Sequence, residues 1–180
     1  VHGQVEQEDG GKLSAEELEV VAYGHIDLNL DVNTLRLATK DQGDVQLRQT
    51  GNDLKYNDLV LEKVEVQNGD FTLDADTILE LAEVSLLSNH DDHSIDIKAK
   101  DDILVHDIRA GFYSTDNSSG EKYTSHGHIT LKSTNGAIVE DFIDPGVDVV
   151  ADVLVLEAKH GILGLETALN VLKAETESGD

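Results

Sequence analysis

The sequence predicts an all-β chain built as a parallel β-helix, a solenoid in which short strands stack coil upon coil along one axis. Short segments of alternating apolar and polar residues recur along the chain, most of them introduced by glycine and followed by a polar turn. They occupy residues 24–28, 43–47, 69–73, 93–97 and 127–131. Their starts lie 19, 26, 24 and 34 residues apart, and one solenoid coil takes roughly 20 to 30 residues.

An aliphatic core favours the narrow solenoid over its alternative, a β-sandwich of cadherin-like or immunoglobulin-like type. Sandwich cores usually carry larger aromatic residues, whereas Phe71 is the single aromatic residue on the predicted inward face. We expect parallel stacking to align Ile26, Val45, Phe71, Ile95 and Ile129 inside the coils. The full predicted inward set comprises Ile26, Leu28, Leu35, Leu37, Val45, Leu47, Leu59, Leu61, Phe71, Leu73, Ile95, Ile97, Ile103, Val105, Ile129, Leu131 and Leu156.

The pattern divides the chain into a tail and one repeat domain. Residues 1–12 are predicted to form a polar N-terminal tail, and residues 13–180 the β-helix repeat domain. Within that domain, the polar residues 111–126 lengthen one coil. Stacked strands tolerate such insertions as loops on one face. We therefore expect residues 111–126 to leave the wall as an inserted loop.

The sequence also indicates a longer repeat, whose period spans several coils. Residues 161–176 match residues 24–39 at an offset of 137, and residues 151–158 resemble residues 15–22. These matches predict a second super-repeat starting near residue 151, with chance matching among Leu, Val, Ala, Asp and Glu as the alternative. The chain begins with Val1 and contains no Met, so we expect it to be a fragment or a processed product.

The composition narrows the classes of partner. The chain has 37 acidic and 13 basic residues and a formal net charge of -24, which repels nucleic-acid phosphates and anionic membranes. No apolar run approaches the roughly 18 residues that span a bilayer, so neither nucleic acid nor membrane insertion is expected. Because the chain has no Cys, it offers neither disulfides nor thiolate ligands.

Two stretches carry a family resemblance. Residues 127–138 and 151–162 resemble repeat regions of giant bacterial haemagglutinin-like and adhesin-like proteins, and the resemblance covers roughly residues 18–176. It implies a right-handed parallel β-helix in a stalk or fibre, at the cell surface or in the extracellular medium. The implied function is that of a structural and adhesive repeat module, a rigid acidic spacer stacked on neighbouring repeats of the same polypeptide.

The alternative function is that of a carbohydrate-active β-helix enzyme or a polysaccharide-binding module. Such enzymes use carboxylates that project from one face, and the sequence offers the pairs Asp74 with Asp76, Asp91 with Asp92, and Asp101 with Asp102. However, 37 acidic residues produce such pairs by chance, and the absence of Trp leaves little for stacking on sugars. We therefore expect that the chain is not an enzyme.

Metal binding is the main chemical hypothesis. His90, Asp91 and His93 lie within five residues, and nitrogen with carboxylate ligands at this density suits zinc, nickel or copper. Calcium instead takes six to eight oxygens, which turns brought together by stacking could supply. The turn aspartates are Asp41, Asp44, Asp70, Asp74, Asp76, Asp101, Asp102, Asp144, Asp148 and Asp152. The predicted metal ligands are Asp74, Asp76, Asp91, Asp101, Asp102, His90 and His93, with calcium as the candidate ion.

The inserted loop is the predicted contact region for a partner. Phe112, Tyr113 and Tyr123 lie among Ser, Thr, Asn and Gly residues, and aromatic anchors are common in recognition loops. The expected partner is a glycan or protein of a host, a cell or a matrix. The alternative is that Phe112 and Tyr113 pin the loop to its own coil.

Overall fold

The computed structural model describes residues 4–7, 10–88, 93–111, 126–140 and 146–178, and these residues form strands and no helix. Among them, no helix that could cross a membrane is found. The strands are β1 (Val5–Glu6), β2 (Leu13–Ala22), β3 (Ile26–Thr39), β4 (Val45–Gln49), β5 (Asp58–Val66), β6 (Phe71–Ala75), β7 (Ile78–Leu81), β8 (Val84–Leu86), β9 (Ser94–Ala99), β10 (Ile103–Val105), β11 (Ile108–Ala110), β12 (His128–Ser133), β13 (Ile138–Glu140), β14 (Val149–Val150), β15 (Val153–Ala158), β16 (Ile162–Leu163), β17 (Thr167–Ala168) and β18 (Val171–Thr176).

All pairings between the described strands are parallel, and they fall into two ladders. Ladder A contains β1, the start of β3, β4, β6, β9, β12, β15 and β18 in that order. Ladder B contains β2, the rest of β3, β5, and then the pairs β7 with β8, β10 with β11, β13 with β14, and β16 with β17. The chain therefore passes through ladder A and then ladder B in successive coils, which we number 1 to 8 from β1 to β18. This all-β, solenoid-like arrangement is consistent with a parallel β-helix.

The register of ladder A confirms the predicted inward alignment. Ile26 pairs with Val45, Val45 with Phe71, Phe71 with Ile95, and Ile95 with Ile129. All of the predicted inward residues are buried. The parallel pairing contradicts the β-sandwich alternative, since the sheets of such a sandwich are antiparallel.

Period-2 alternation explains both the core and the wall. In β6, Phe71, Leu73 and Ala75 are buried, while the residues between them are partly exposed. Burying an aliphatic or aromatic side chain of this size contributes about 1.5 to 3 kcal/mol, and each coil stacks such residues on those of the next coil. The fold is therefore stabilised between coils as well as within them.

The N-terminal segment departs from the predicted polar tail. Val5–Glu6 forms β1 and pairs in parallel with Ile26 and Asp27. Val5 is partly buried against the core, because its apolar side chain extends the column of Ile26. Part of the segment predicted as a tail thus belongs to ladder A.

The super-repeat match aligns positions that are not equivalent in the coil. Leu172 lies in ladder A beside Leu154, whereas its sequence match, Leu35, lies in ladder B between Leu18 and Leu61. Strands of both ladders share the same alternation of apolar and polar residues, and this common pattern produces the match. The structural repeat is the single coil.

The inserted segment lies mostly outside the described residues, as do its predicted anchors Phe112, Tyr113 and Tyr123. Its two flanks are described. The amide of Gly111 donates to the Leu86 carbonyl at 3.0 Å, and a Cβ built on Gly127 would lie 2.7 Å from the Cβ of Ala110. The two described ends of the segment therefore lie close to each other, and the inserted loop itself stays a prediction.

Candidate metal centre

Three of the predicted aspartate ligands, Asp74, Asp76 and Asp102, bind other residues of the β-helix wall through their carboxylates. Lys98 Nζ lies 3.2 Å from Asp74 Oδ1, and Gly51 N donates to Asp76 Oδ2 at 3.0 Å. The Asp102 carboxylate accepts a hydrogen bond from the Ala137 amide at 2.8 Å. These contacts join each carboxylate to a neighbouring coil.

His93 and the backbone of Asp101 also have partners in neighbouring coils. A ring nitrogen of His93 lies 2.9 Å from Asn68 Oδ1, and the other lies 3.6 Å from Asp70 Oδ1. The Asp101 carbonyl accepts a hydrogen bond from Ser133 Oγ at 2.6 Å. The predicted ligands His90 and Asp91 lie outside the described residues.

A different acidic group is brought together in coils 6 and 7. Among the described residues, Glu140, Asp148 and Glu166 form the group whose ligand oxygens all lie within 4.8 Å of one another. None of the predicted metal ligands belongs to this group. The acidic group found among the described residues thus lies apart from the predicted ligands, and the predicted ligand set stays a prediction.

Glu140 enters this centre from an inward position of ladder B. Its register column runs through Leu35, Leu61, Leu81 and Val105 before it reaches Glu140. The four preceding residues are fully buried. Glu140 Oε1 is also buried, and it has no hydrogen-bond partner among the described residues. A carboxylate thus replaces an aliphatic side chain in the column.

The next coil leaves room for the Glu140 carboxylate. A Cβ built on Gly164 would lie 2.8 Å from Glu140 Oε2 and 3.0 Å from its Cβ. Gly164 also has a φ of +84°, a left-handed backbone conformation that glycine adopts readily. That positive φ is strained for any residue with a side chain, so both the backbone and the available space require glycine here.

Asp148 is the most buried member of the group, with 2% of its surface exposed. Its amide donates to the Glu166 carbonyl at 2.9 Å, and its Oδ2 accepts from the Glu166 amide at 2.8 Å. The pKa of Asp148 is raised to about 6, chiefly by burial and also by the nearby charges of Glu166 and Glu140, against the lowering effect of the hydrogen bond from the Glu166 amide. The centre therefore concentrates negative charge where solvation is poor.

Sequence reasoning named Asp148 among ten turn aspartates but missed Glu140 and Glu166. The available signal was Ile138-Val139-Glu140, where alternation places an acid at an inward position. Glu166 gave no such signal, because its approach to Asp148 depends on how coil 7 stacks on coil 6.

Oxygen ligands alone line this centre, so its chemistry is that of hard cations. Calcium and magnesium prefer carboxylate oxygens, whereas zinc and copper favour nitrogen or sulfur.

Comparison of the chain with protein-family models, with curated proteins and with solved structures finds no match.

Proposed function

We propose that the chain is a right-handed parallel β-helix that acts as a rigid, acidic spacer in a large extracellular or surface-attached bacterial protein. The observation that carries this proposal is the unbroken register of ladder A. Eight strands follow one another in parallel, and their inward column runs from Val5 to Leu172. Such a column resists bending, because bending would separate packed side chains and backbone hydrogen bonds at once.

Ion pairs between neighbouring coils support the same function. Arg48 lies 2.6 Å from Asp27 of the preceding coil, and Lys98 lies 3.2 Å from Asp74. Lys132 pairs in the same way with Glu157. Exposed pairs of this kind contribute at most about 1 kcal/mol each, but here the scarce cations are placed between coils. The remaining acidic surface keeps the module solvated and separate from other chains.

Rigidity can be tested by single-molecule energy transfer between dyes on cysteines introduced at Glu6 and Lys173, since the chain has no other Cys. Seven coil steps of about 4.8 Å place these positions about 34 Å apart. We expect one narrow distance distribution that does not change when salt shortens the screening length from about 10 to about 3 Å. A flexible acidic chain would instead contract as its self-repulsion is screened. A broad or contracting distribution would therefore contradict the spacer function.

The adhesive part of the proposal assigns partner contact to residues 111–126. Binding of the full chain to glycan arrays, cells and matrix proteins should be lost when Phe112, Tyr113 and Tyr123 are replaced together by Ala. The matched control is Tyr23→Ala, since Tyr23 is an exposed tyrosine of the wall. Unchanged binding by the triple variant, or equal loss in the control, would contradict this assignment.

A further inference from the structure

In each of coils 4 to 7, ladder B consists of two short strands, and the corner between them carries an acidic residue. The ion pairs at this corner differ from coil to coil. Backbone hydrogen bonds connect the corner residues Glu83, Asp107, Asp148 and Glu166 to neighbouring coils in one column. In coils 4 and 5 a cation of the protein accompanies the acid. Lys63 lies 3.3 Å from Glu83, and Arg109 Nε lies 2.6 Å from Asp107.

Coils 6 and 7 carry more acid at this corner, and their described residues include no matching cation. Asp148 and Glu166 continue the column, and Glu140 adds a third carboxylate. No described Lys, Arg or His forms an ion pair with any of the three. Among the described residues, no cation takes the place that Lys63 and Arg109 fill in earlier coils.

Glu140 gives the independent indication of a ligand. Glu140 is partly exposed as a residue, but its Oε1 is buried and has no hydrogen-bond partner among the described residues. The four preceding coils carry buried aliphatic side chains at the same register position. An unpaired buried carboxylate oxygen is costly. A bound cation removes that cost, because it supplies the missing electrostatic partner.

The distances fit calcium. Two oxygens that each lie about 2.4 Å from one calcium ion can be at most about 4.8 Å apart, and the ligand oxygens of the three residues satisfy this limit. Calcium accepts irregular oxygen shells, whereas magnesium demands a near-ideal octahedron. Glu166 is exposed, so water can complete the shell on that side.

We propose that Glu140, Asp148 and Glu166 form a calcium site that joins coil 6 to coil 7. The site is independent of the spacer function, since it would hold the coils together in any molecule of this fold.

Calorimetric titration of calcium chloride into the full chain, after removal of divalent ions with EDTA, tests the site directly. At neutral pH and physiological ionic strength we expect one tight binding step with a stoichiometry of one, above weak diffuse binding to the acidic surface. Glu140→Gln and Glu166→Gln should each weaken this step at least about tenfold, because each removes one charged ligand. Glu83→Gln is the matched control, since it removes the same charge from the same column beside Lys63.

Thermal unfolding separates binding from folding defects. Saturating calcium should raise the melting temperature of the native chain by about 5 to 10 °C. Glu140→Leu restores the aliphatic column, so this variant should melt higher than the native chain in EDTA and should not respond to calcium. The proposal is overturned if the native chain shows no tight step, if the Gln variants keep it, if Glu83→Gln loses it, or if Glu140→Leu still responds.

Discussion

At the scale of single residues, Gln49 shows how a buried polar side chain completes the backbone pairing. It is fully buried, and its amide both accepts from Val32 N at 2.9 Å and donates to Val32 O at 3.0 Å. In coil 3 the chain loops out between β4 and β5, so no strand pairs with Val32 from that side. The Gln49 side chain takes the place of the missing strand.

Replacing Gln49 by Leu should therefore lower the free energy of unfolding by about 2 to 6 kcal/mol, because two buried backbone groups lose their partners at about 1 to 3 kcal/mol each. Gln46→Leu is the control, since Gln46 is exposed on the same strand and should change stability by no more than about 0.5 kcal/mol. Urea unfolding measures both variants. Equal effects of the two substitutions would show that the contacts of Gln49 do not stabilise the fold.

Asp148 predicts a pH dependence in calcium-free solution. Its pKa is about 6 in the folded chain, against 3.8 for an ordinary aspartate, so the folded state binds more protons between these values. Its contribution to stability therefore falls as the pH rises from about 4 to about 6 and then stays constant. Asp148→Asn should be more stable than the native chain by about 1 to 3 kcal/mol at about pH 7.5 and of similar stability at about pH 4. Unfolding curves in EDTA at both pH values provide the check, and an equal difference at the two values would contradict the assignment.

At the scale of the elements, the turns that lead into ladder A bring consecutive coils into close contact. A Cβ built on Gly43 would lie 2.4 Å from the Gly24 carbonyl carbon and 2.5 Å from His25 N. A Cβ on Gly69 would lie 2.4 Å from the Gly43 carbonyl oxygen. Glycine in these turns therefore sets the spacing of coils 2, 3 and 4.

Gly43→Ala should destabilise the protein by about 1 to 3 kcal/mol, because the added methyl group must push the backbone of coil 2 away. Thermal unfolding followed by circular dichroism measures the effect. Lys40→Ala, an exposed substitution just before the same turn, is the control and should leave the melting temperature unchanged. A native-like melting temperature for Gly43→Ala would mean that the coils are not in contact at this turn.

Strands with clear alternation were predictable, whereas the side-chain contacts that form the acidic centre were not. Ile26, Phe71 and Ile129 follow glycine-containing turns and start runs of period 2, so both their burial and their alignment could be read from the sequence. The site could not be found in this way. Glu140 and Glu166 meet because coil 7 places Gly164 against Glu140, and alternation carries no information about which coils place acids at the same corner.

At the scale of the whole molecule, one repeated step explains the architecture. The coils differ in length, yet every described ladder A strand pairs in parallel with the strand before it. Length differences are absorbed in the connections, as in the segment between β11 and β12. The distance along the axis should therefore depend on the number of coils and not on the number of residues.

Pulsed electron paramagnetic resonance between pairs of spin labels tests this central claim most directly. Labels on cysteines at Asp27 and one of Thr130, Val155 or Lys173 occupy one outward column, separated by four, five and six coil steps. With about 4.8 Å per step, the three distances should be about 19, 24 and 29 Å. Equal increments are expected although the sequence separations between the labelled positions are unequal. Distances that stay constant or decrease from Thr130 to Lys173 would contradict the stacking of coils along one axis.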